Sequence, residues 1–189
     1  MRCIAITGGP GGGKSTVAAL VRQELARDVV VVPEVATHLL GGFFPAITNA
    51  EERRAVQRAI YHVQLNLEAV HRARPGDGKV LVCDRGILDG AAYWPDGADD
   101  FCESVCGDAA RALQRYDAVV FLETAAAGGL SIESDNAARL ETAMEALRID
   151  ALLRQVWSAH PVFRFVPHAE LFDSKVKHAL DELRALIRG

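Results

Sequence analysis

The chain has 189 residues, half of them hydrophobic, which is enough for one compact α/β domain and short for two. Its net charge is −4, from 21 basic and 25 acidic side chains, whereas a general nucleic-acid binder usually carries a basic surplus. No apolar run reaches the roughly 18 residues of a membrane span, and the first residues lack the features of a signal peptide. We therefore expect a cytoplasmic protein with a single domain over residues 1–189, and the sequence leaves its oligomeric state open.

Five apolar, β-branched segments alternate with helical patterns along the chain. Short buried runs separated by helices are typical of a parallel sheet that is covered on both faces. The predicted strands are residues 3–7, 29–33, 80–83, 118–122 and 162–166. The predicted helices are residues 14–26, 50–74, a short piece at 87–94, and then 100–114, 136–159 and 172–187.

The first strand leads into a glycine-rich loop that fits the pattern G-x-x-x-x-G-K-[ST] and opens a helix, which is the context of a phosphate-binding P-loop. Glycines let successive backbone N–H groups curl around phosphate oxygens, and the helix adds its positive N-terminal end. We expect Lys14 to reach the β- and γ-phosphates of a nucleotide triphosphate and the Ser15 hydroxyl to ligate Mg²⁺. The expected nucleotide-binding residues are Gly8, Gly9, Gly11, Gly12, Gly13, Lys14, Ser15 and Thr16.

Acidic side chains follow the second and third strands, at the edge where parallel sheets bind ligands. Glu34 either accepts the proton of an attacking hydroxyl, or orients it, or caps the next helix. Asp84 follows an apolar strand as a Walker-B acid does and is expected to hold Mg²⁺, with Arg85 clamping a phosphoryl oxygen; the alternative is a turn aspartate beside a surface arginine. Asp89 either contacts the acceptor or Arg85, or is a solvated acid.

The helix predicted at residues 50–74 opens with a capping-box pattern, Thr48 followed by Glu51. Its predicted buried stripe is Val56, Ile60, Val63, Leu67 and Val70. A neighbouring face carries polar side chains that either read a polar acceptor or form a solvated flank, namely Gln57, Tyr61 and Gln64. Tyr93 and Trp94, further along the chain, are expected to pack against other side chains, and the alternative is that they are stacking platforms.

Residues 125–148 are predicted to include a lid over the phosphates. Arg139 is the first candidate for a lid cation and Arg148 the second, and the alternative for each is an ion-pair partner on a solvated helix. The loop at residues 167–172 is expected to lie against the nucleotide base. Since the chain has no N-K-x-D base-reading motif, ATP is favoured over GTP.

The four cysteines do not form a recognisable metal-binding pattern. Cys3 and Cys83 lie in strand-like runs and are predicted to be small buried hydrophobes. Cys102 and Cys106 are spaced i, i+4 without further ligands nearby, so a structural role is favoured over a metal or redox site.

With these motifs the chain resembles a family of small AAA-type P-loop proteins that includes the ribosylnicotinamide kinase domain of bacterial NAD regulators. The matching segments are residues 6–16, 32–36, 84–89 with 92–93, 136–139 through 145–147, and 157–161. The resemblance implies an α/β three-layer P-loop fold, like that of nucleoside and nucleotide kinases, with a five-stranded parallel sheet of order 2-3-1-4-5. It also implies that Lys14, Ser15 and Thr16 bind the nucleotide and that Asp84 and Arg85 belong to the catalytic centre. The adenylyltransferase half of the NAD regulators is lacking, and some eukaryotic relatives resemble nucleotide- and lipid-binding regulators.

The function predicted first is an ATP- and Mg²⁺-dependent phosphotransferase acting on a hydroxyl of a small metabolite, such as a nucleoside. The residues expected to carry the reaction are Lys14, Glu34, Asp84, Arg85 and Arg139. The alternatives are a P-loop NTPase or regulatory switch without a small-molecule acceptor, and nucleotide binding without turnover.

Overall fold

The computed structural model describes residues 1–74, 78–129 and 142–189. Its centre is a five-stranded, fully parallel sheet with the strand order β2-β3-β1-β4-β5, which confirms the predicted fold class. The strands are β1 (Cys3–Thr7), β2 (Val29–Val32), β3 (Val80–Asp84), β4 (Ala118–Leu122) and β5 (Phe163–Val166). Each lies within two residues of its predicted bounds. β2 stops before Pro33, which has no N–H to donate to the ladder.

Helices cover both faces of the sheet. They are α1 (Lys14–Glu24), α2 (Val35–Leu40), α3 (Ala50–Ala73), α4 (Gly97–Phe101), α5 (Ala109–Leu113), α6 (Ala143–Trp157) and α7 (Phe172–Arg188). Two short 3₁₀ segments follow β3 and β4, at Ile87–Tyr93 and Ala125–Gly128. Among the described residues, no helix combines the length and apolarity that crossing a bilayer requires.

Alternation along the central strands divides the core into two layers, because successive side chains of a strand point to opposite faces. On one face, Ile4 and Ile6 of β1 pack with α1 and α7. On the other face, Cys3 and Ala5 pack with side chains of α3 and α6 and of the 3₁₀ segment after β3. Both faces are buried, which explains why the strands read as continuous apolar runs.

The register brings the carboxyl ends of the three central strands to one edge. Ile6 of β1 lies beside Asp84 of β3, and Thr7 lies beside Phe121 of β4. The glycine-rich loop leaves β1 at this edge. The residues that follow β2, β3 and β4 therefore surround it.

The start and the buried face of α3 differ from the prediction. The N-cap is Asn49, whose side chain accepts from the Glu52 N–H at 2.9 Å, while the Glu52 carboxylate accepts from Thr48; the capping box thus uses Glu52 and not Glu51. Val63 and Val70 are exposed, contrary to the predicted stripe. The buried positions are Val56, Gln57, Tyr61, Gln64 and Glu68, so the solvated-flank interpretation of Gln57, Tyr61 and Gln64 is wrong.

The single helix predicted at residues 100–114 is interrupted. It consists of α4, a π-helical turn at Cys102–Cys106 and α5. Gly107 has a φ of +75°, which breaks the helix, and the Asp108 side chain then caps α5 by accepting from the Arg111 N–H at 3.1 Å.

Candidate active site at the carboxyl edge of the sheet

The glycine-rich loop wraps tightly over the end of β4 and begins α1 at Lys14. Gly8 has a φ of +130°, and a Cβ on it would overlap the Leu122 carbonyl group. Gly13 has a φ of +91° and lies where a Cβ would come within 2.9 Å of the Phe172 ring. Lys14 is 2% exposed, and its ammonium donates to the Gly9 carbonyl oxygen at 2.6 Å, whereas the Ser15 and Thr16 side chains are exposed.

A carboxylate that no sequence motif indicated, Asp150 of α6, holds the glycine-rich loop by hydrogen bonds. One oxygen of Asp150, on α6, accepts from the Gly9 N–H at 2.9 Å and from the Thr124 N–H at 2.8 Å. The Thr124 hydroxyl donates to the Pro10 carbonyl oxygen at 2.5 Å. Burial raises the pKa of Asp150. The sequence does indicate that Asp150 is buried, because this residue shares the apolar face of α6 with Ile149.

A second buried charge lies beside the loop. Lys175 of α7 is 3% exposed and donates to the Glu123 carbonyl oxygen just after β4. Burial lowers its pKa to about 8. The Glu123 carboxylate accepts from the His168 N–H at 2.8 Å, which holds the loop after β5 against the end of β4. Leu171 and Phe172, at the start of α7, are 70% and 49% exposed next to Gly13.

Asp84 ends β3 close to the phosphate loop. Its side chain is buried, and its Oδ1 atom has no hydrogen-bond partner. Burial, and then the nearby charge of Glu34, raise the pKa of Asp84, while Arg85 and Lys14 oppose that shift. A buried carboxylate oxygen without a partner fits a cation ligand, since hard cations such as Mg²⁺ take oxygen ligands.

Glu34 and Arg85 are brought together from different strands. The Arg85 Nε donates to Glu34 Oε1 at 2.8 Å, and the Arg85 Nη1 lies 3.4 Å from Asp89 Oδ2. Glu34 occupies the N-cap position of α2, but it makes no capping bond to the backbone; its other oxygen accepts from the Thr37 hydroxyl at 2.6 Å. Arg85 has a φ of +84°, unlike any other non-glycine residue in the described ranges. Such a conformation is costly for a residue with a Cβ and is often found at functional sites.

Asp89 is a buried link in this network. Its Oδ1 accepts from the Thr7 hydroxyl and from the Trp157 indole N–H, both at 2.8 Å. Gly86 allows this, because a Cβ there would lie 2.5 Å from the Trp157 ring. The run Asp84-Arg85-Gly86 therefore needs its glycine for the approach of α6. Asp89 contacts Arg85, as one of the two interpretations predicted, and it is not a solvated acid.

Polar side chains on the buried face of α3 form hydrogen bonds with the Arg85 backbone and with each other. The Gln64 amide donates to the Arg85 carbonyl oxygen at 3.3 Å and to Glu68 at 3.1 Å. Glu68 is completely buried and also accepts from the Tyr116 hydroxyl at 2.7 Å and from Arg115 at 3.2 Å. This network explains why the buried face of α3 is polar at this point. Sequence periodicity alone favours apolar side chains there.

Three other residues were also predicted from the sequence, namely Arg139, Arg148 and Trp94. Arg139, the first lid candidate, lies outside the described residues. Arg148 forms an i, i+3 pair with Glu145 at 2.7 Å, as the ion-pair alternative predicted. Trp94 packs in the core as predicted, and its indole N–H donates to Asp100 at 2.5 Å.

The four cysteines lie in two pairs. Cys3 and Cys83 are fully buried with their sulfur atoms 3.7 Å apart, and their contact together with burial raises the pKa of Cys83 well above that of a free thiol. Glu68 lies within 4.8 Å of both, but it already accepts three hydrogen bonds. Cys106 is half-buried in the π-helical turn, and its thiol donates to the Cys102 carbonyl oxygen at 3.4 Å.

Comparison with solved structures finds the same fold in a deoxyadenosine kinase. A deoxyadenosine kinase from M. mycoides with bound dATP matches with a TM-score of 0.63 and 15% identity, covering 97% of this chain and 100% of that one. The same enzyme with bound dCTP matches with a TM-score of 0.64 and 13% identity over the same shares. At these identities the likeness shows the fold alone.

Comparison with sequences gives one family and no individual relative. A search of curated proteins finds no significant match. The sequence profile of a family described as an AAA domain matches residues 3–183, almost the whole length of the chain. This match agrees with the glycine-rich loop and with the strand order of the sheet. The chain belongs to this AAA domain family of P-loop proteins.

Proposed function

We propose that the protein is an ATP- and Mg²⁺-dependent phosphotransferase that moves the γ-phosphoryl group of ATP to a hydroxyl of a small metabolite. The observation that carries the proposal is the cluster at the carboxyl edge of the sheet. Glu34 pairs with Arg85 at 2.8 Å, and both influence the pKa of Asp84 beside the lysine of the P-loop. A carboxylate at this position can receive the proton of an attacking hydroxyl.

Each residue has a defined part in this proposal. Backbone N–H groups of the loop and the Lys14 ammonium bind the phosphates. The Ser15 hydroxyl and the unpartnered Asp84 oxygen would hold Mg²⁺, which when bound neutralises phosphate charge. Leu171 and Phe172 offer an exposed apolar surface beside Gly13 for the base of the nucleotide.

The reaction needs positioning and charge neutralisation more than covalent help. The acceptor oxygen attacks the γ-phosphorus, so that a new O–P bond forms while the bond to the β,γ-bridging oxygen breaks and ADP leaves. Glu34 receives the hydroxyl proton, and Arg85 holds an oxygen of the transferred group. Asp89 and Gln64 fix Arg85 from both sides.

The replacement Glu34→Gln tests this assignment. It removes the proton acceptor and keeps the shape, so we expect the rate of transfer to fall about 10²- to 10⁴-fold while ATP affinity stays within about threefold. The matched control is Thr37→Val, which removes the hydroxyl that Glu34 accepts from and leaves the carboxylate in place. Unchanged transfer in the Glu34→Gln protein would exclude Glu34 from the mechanism.

A further inference from the structure

A cleft of about 430 Å³ opens between the N-terminus of α3, the end of the 3₁₀ segment after β3, and α6. This volume lies within the range of small-molecule pockets, about 300–1,000 Å³. The side chains that line it are mainly polar. The lining includes Thr48, Arg53, Tyr93, Trp94, Glu145 and Arg148.

The cleft carries a surplus of positive charge. Two arginines, Arg53 and Arg148, face one carboxylate, Glu145. Arg148 is paired with Glu145, at 2.7 Å. The hydrogen bond from Arg148 lowers the pKa of Glu145, and the charge of Arg53 adds to this effect, which places Arg53 near the pair. Yet the Arg53 side chain forms no hydrogen bond or ion pair with any residue in the described ranges.

The cleft adjoins the proposed catalytic cluster through Tyr93. This side chain influences the pKa of Arg85 on one side and that of Arg148 on the other. Tyr93 also ends the 3₁₀ segment that carries Asp89, the partner of Arg85 at 3.4 Å. To reach the cleft, a molecule whose hydroxyl lies at Glu34 and Arg85 would extend past Tyr93.

Two residues that line the cleft, Trp94 and Thr48, are held by hydrogen bonds within the protein. Trp94 is buried, its indole N–H is held by Asp100 at 2.5 Å, and the Arg58 guanidinium lies 5.3 Å from the centre of its ring. The Thr48 N–H and hydroxyl donate to Glu52 at 2.6 and 3.0 Å. A prepared wall lowers the entropic cost of holding a ligand group.

We infer that the phosphoryl acceptor carries an anionic group, a phosphate ester or a carboxylate, which Arg53 binds in this cleft with Arg148 beside it. A guanidinium that no described residue pairs with matches the planar, bidentate geometry of both anions. The acceptor class is then an alcohol with a negatively charged substituent and not a neutral nucleoside. This inference rests on the proposed function, and it deepens that proposal by naming the class of substrate.

Binding measurements test the inference without requiring turnover. The wild-type protein is first saturated with Mg²⁺ and a non-hydrolysable ATP analogue, so that added anions cannot bind the P-loop. Calorimetry then compares neutral and anionic partners: adenosine with AMP, thymidine with dTMP, and glycerol with glycerate and glycerol 3-phosphate. The last set distinguishes a carboxylate from a phosphate ester.

We expect at least one anionic compound to bind about tenfold or more tightly than its neutral partner. Arg53→Gln should abolish that difference, because one lost charge-assisted contact amounts to about a tenfold change or more. Arg22→Gln is the control: it removes the same charge from an exposed side chain of α1 outside the cleft, and it should leave the affinity unchanged.

Three results would overturn the inference: equal affinity for the neutral and anionic members of every pair, an anion preference that survives Arg53→Gln, or no binding of any anionic compound. Failure of the proposed function looks different. In that case the anion would bind in an Arg53-dependent way but would receive no phosphate. Conversely, Glu34-dependent transfer to neutral alcohols would keep the proposed function and reject the anionic acceptor.

Discussion

Replacing Asp150 by alanine removes a side chain that holds the phosphate loop in place and leaves every residue proposed to take part in the reaction. One oxygen of Asp150 accepts two buried N–H groups, from Gly9 and Thr124. Each buried donor left without a partner costs about 1–3 kcal/mol, so the two together cost about 2–6 kcal/mol. Removal of a buried carboxylate with a raised pKa offsets part of this loss. We therefore expect the free energy of unfolding to fall by about 2–4 kcal/mol and ATP to bind about tenfold more weakly.

Asp150→Asn is the matched control, because its amide oxygen can accept the same two hydrogen bonds. It should cost about 1 kcal/mol or less. Urea unfolding followed by tryptophan fluorescence gives the stability, and calorimetry with Mg²⁺ and an ATP analogue gives the affinity. Two results would refute the reasoning. One is an alanine variant as stable as the wild type. The other is a variant that loses stability but binds ATP with unchanged affinity.

Three further predictions concern buried groups around the loop. Asp84→Asn should stabilise the ligand-free protein, since it removes a buried charge, and should abolish the extra stability that Mg²⁺ and ATP confer. Lys175→Met should remove one contribution to the pH dependence of the free energy of unfolding. The pKa of Lys175 is about 8 in the folded chain and 10.5 otherwise, so the folded state binds fewer protons between these values, and wild-type stability should rise relative to the variant as the pH rises from 8 to 10.5. Gly86→Ala should cost about 1–3 kcal/mol, because its Cβ would meet the Trp157 ring.

Each of these predictions is checked by comparing the stability of the variant with that of the wild type. For Asp84, whose pKa is raised, the wild type should approach the stability of the variant as the pH falls, because protonation relieves the buried charge. A wild type that is more stable than Asp84→Asn at neutral pH without ligand would contradict the account. For Lys175, parallel pH curves of wild type and variant would contradict it. For Gly86, an alanine variant as stable as the wild type would contradict it.

The parts of the site that follow from local sequence were predictable, and those that depend on packing between distant segments were not. The loop residues and the carboxylates after β2 and β3 lie next to apolar strands, so pattern and spacing locate them. Asp150 and Lys175 act on the loop from helices far along the chain, and only the fold brings them there. Both nevertheless left a trace, a charged residue on the apolar face of its helix.

For α3, the prediction from sequence placed the wrong side chains in the core. Val63 and Val70 fit an apolar stripe, and the stripe was assigned to the core on periodicity alone. The helix instead turns Gln64 and Glu68 inward, where they satisfy the Arg85 carbonyl group and the Tyr116 hydroxyl. Such a network is invisible in a single sequence, because its partners come from three separate segments. The predicted single domain and the role of Arg139 stay predictions.

The fate of the γ-phosphate tests the central claim most directly. The protein is incubated with Mg²⁺ and γ-labelled ATP, with and without a pooled library of small hydroxylated metabolites, and Lys14→Ala serves as the control for the loop. The account predicts label on an organic molecule, at a rate that depends on both Lys14 and Glu34. Label released only as inorganic phosphate, at a rate indifferent to the library, would contradict it and would identify a P-loop NTPase instead.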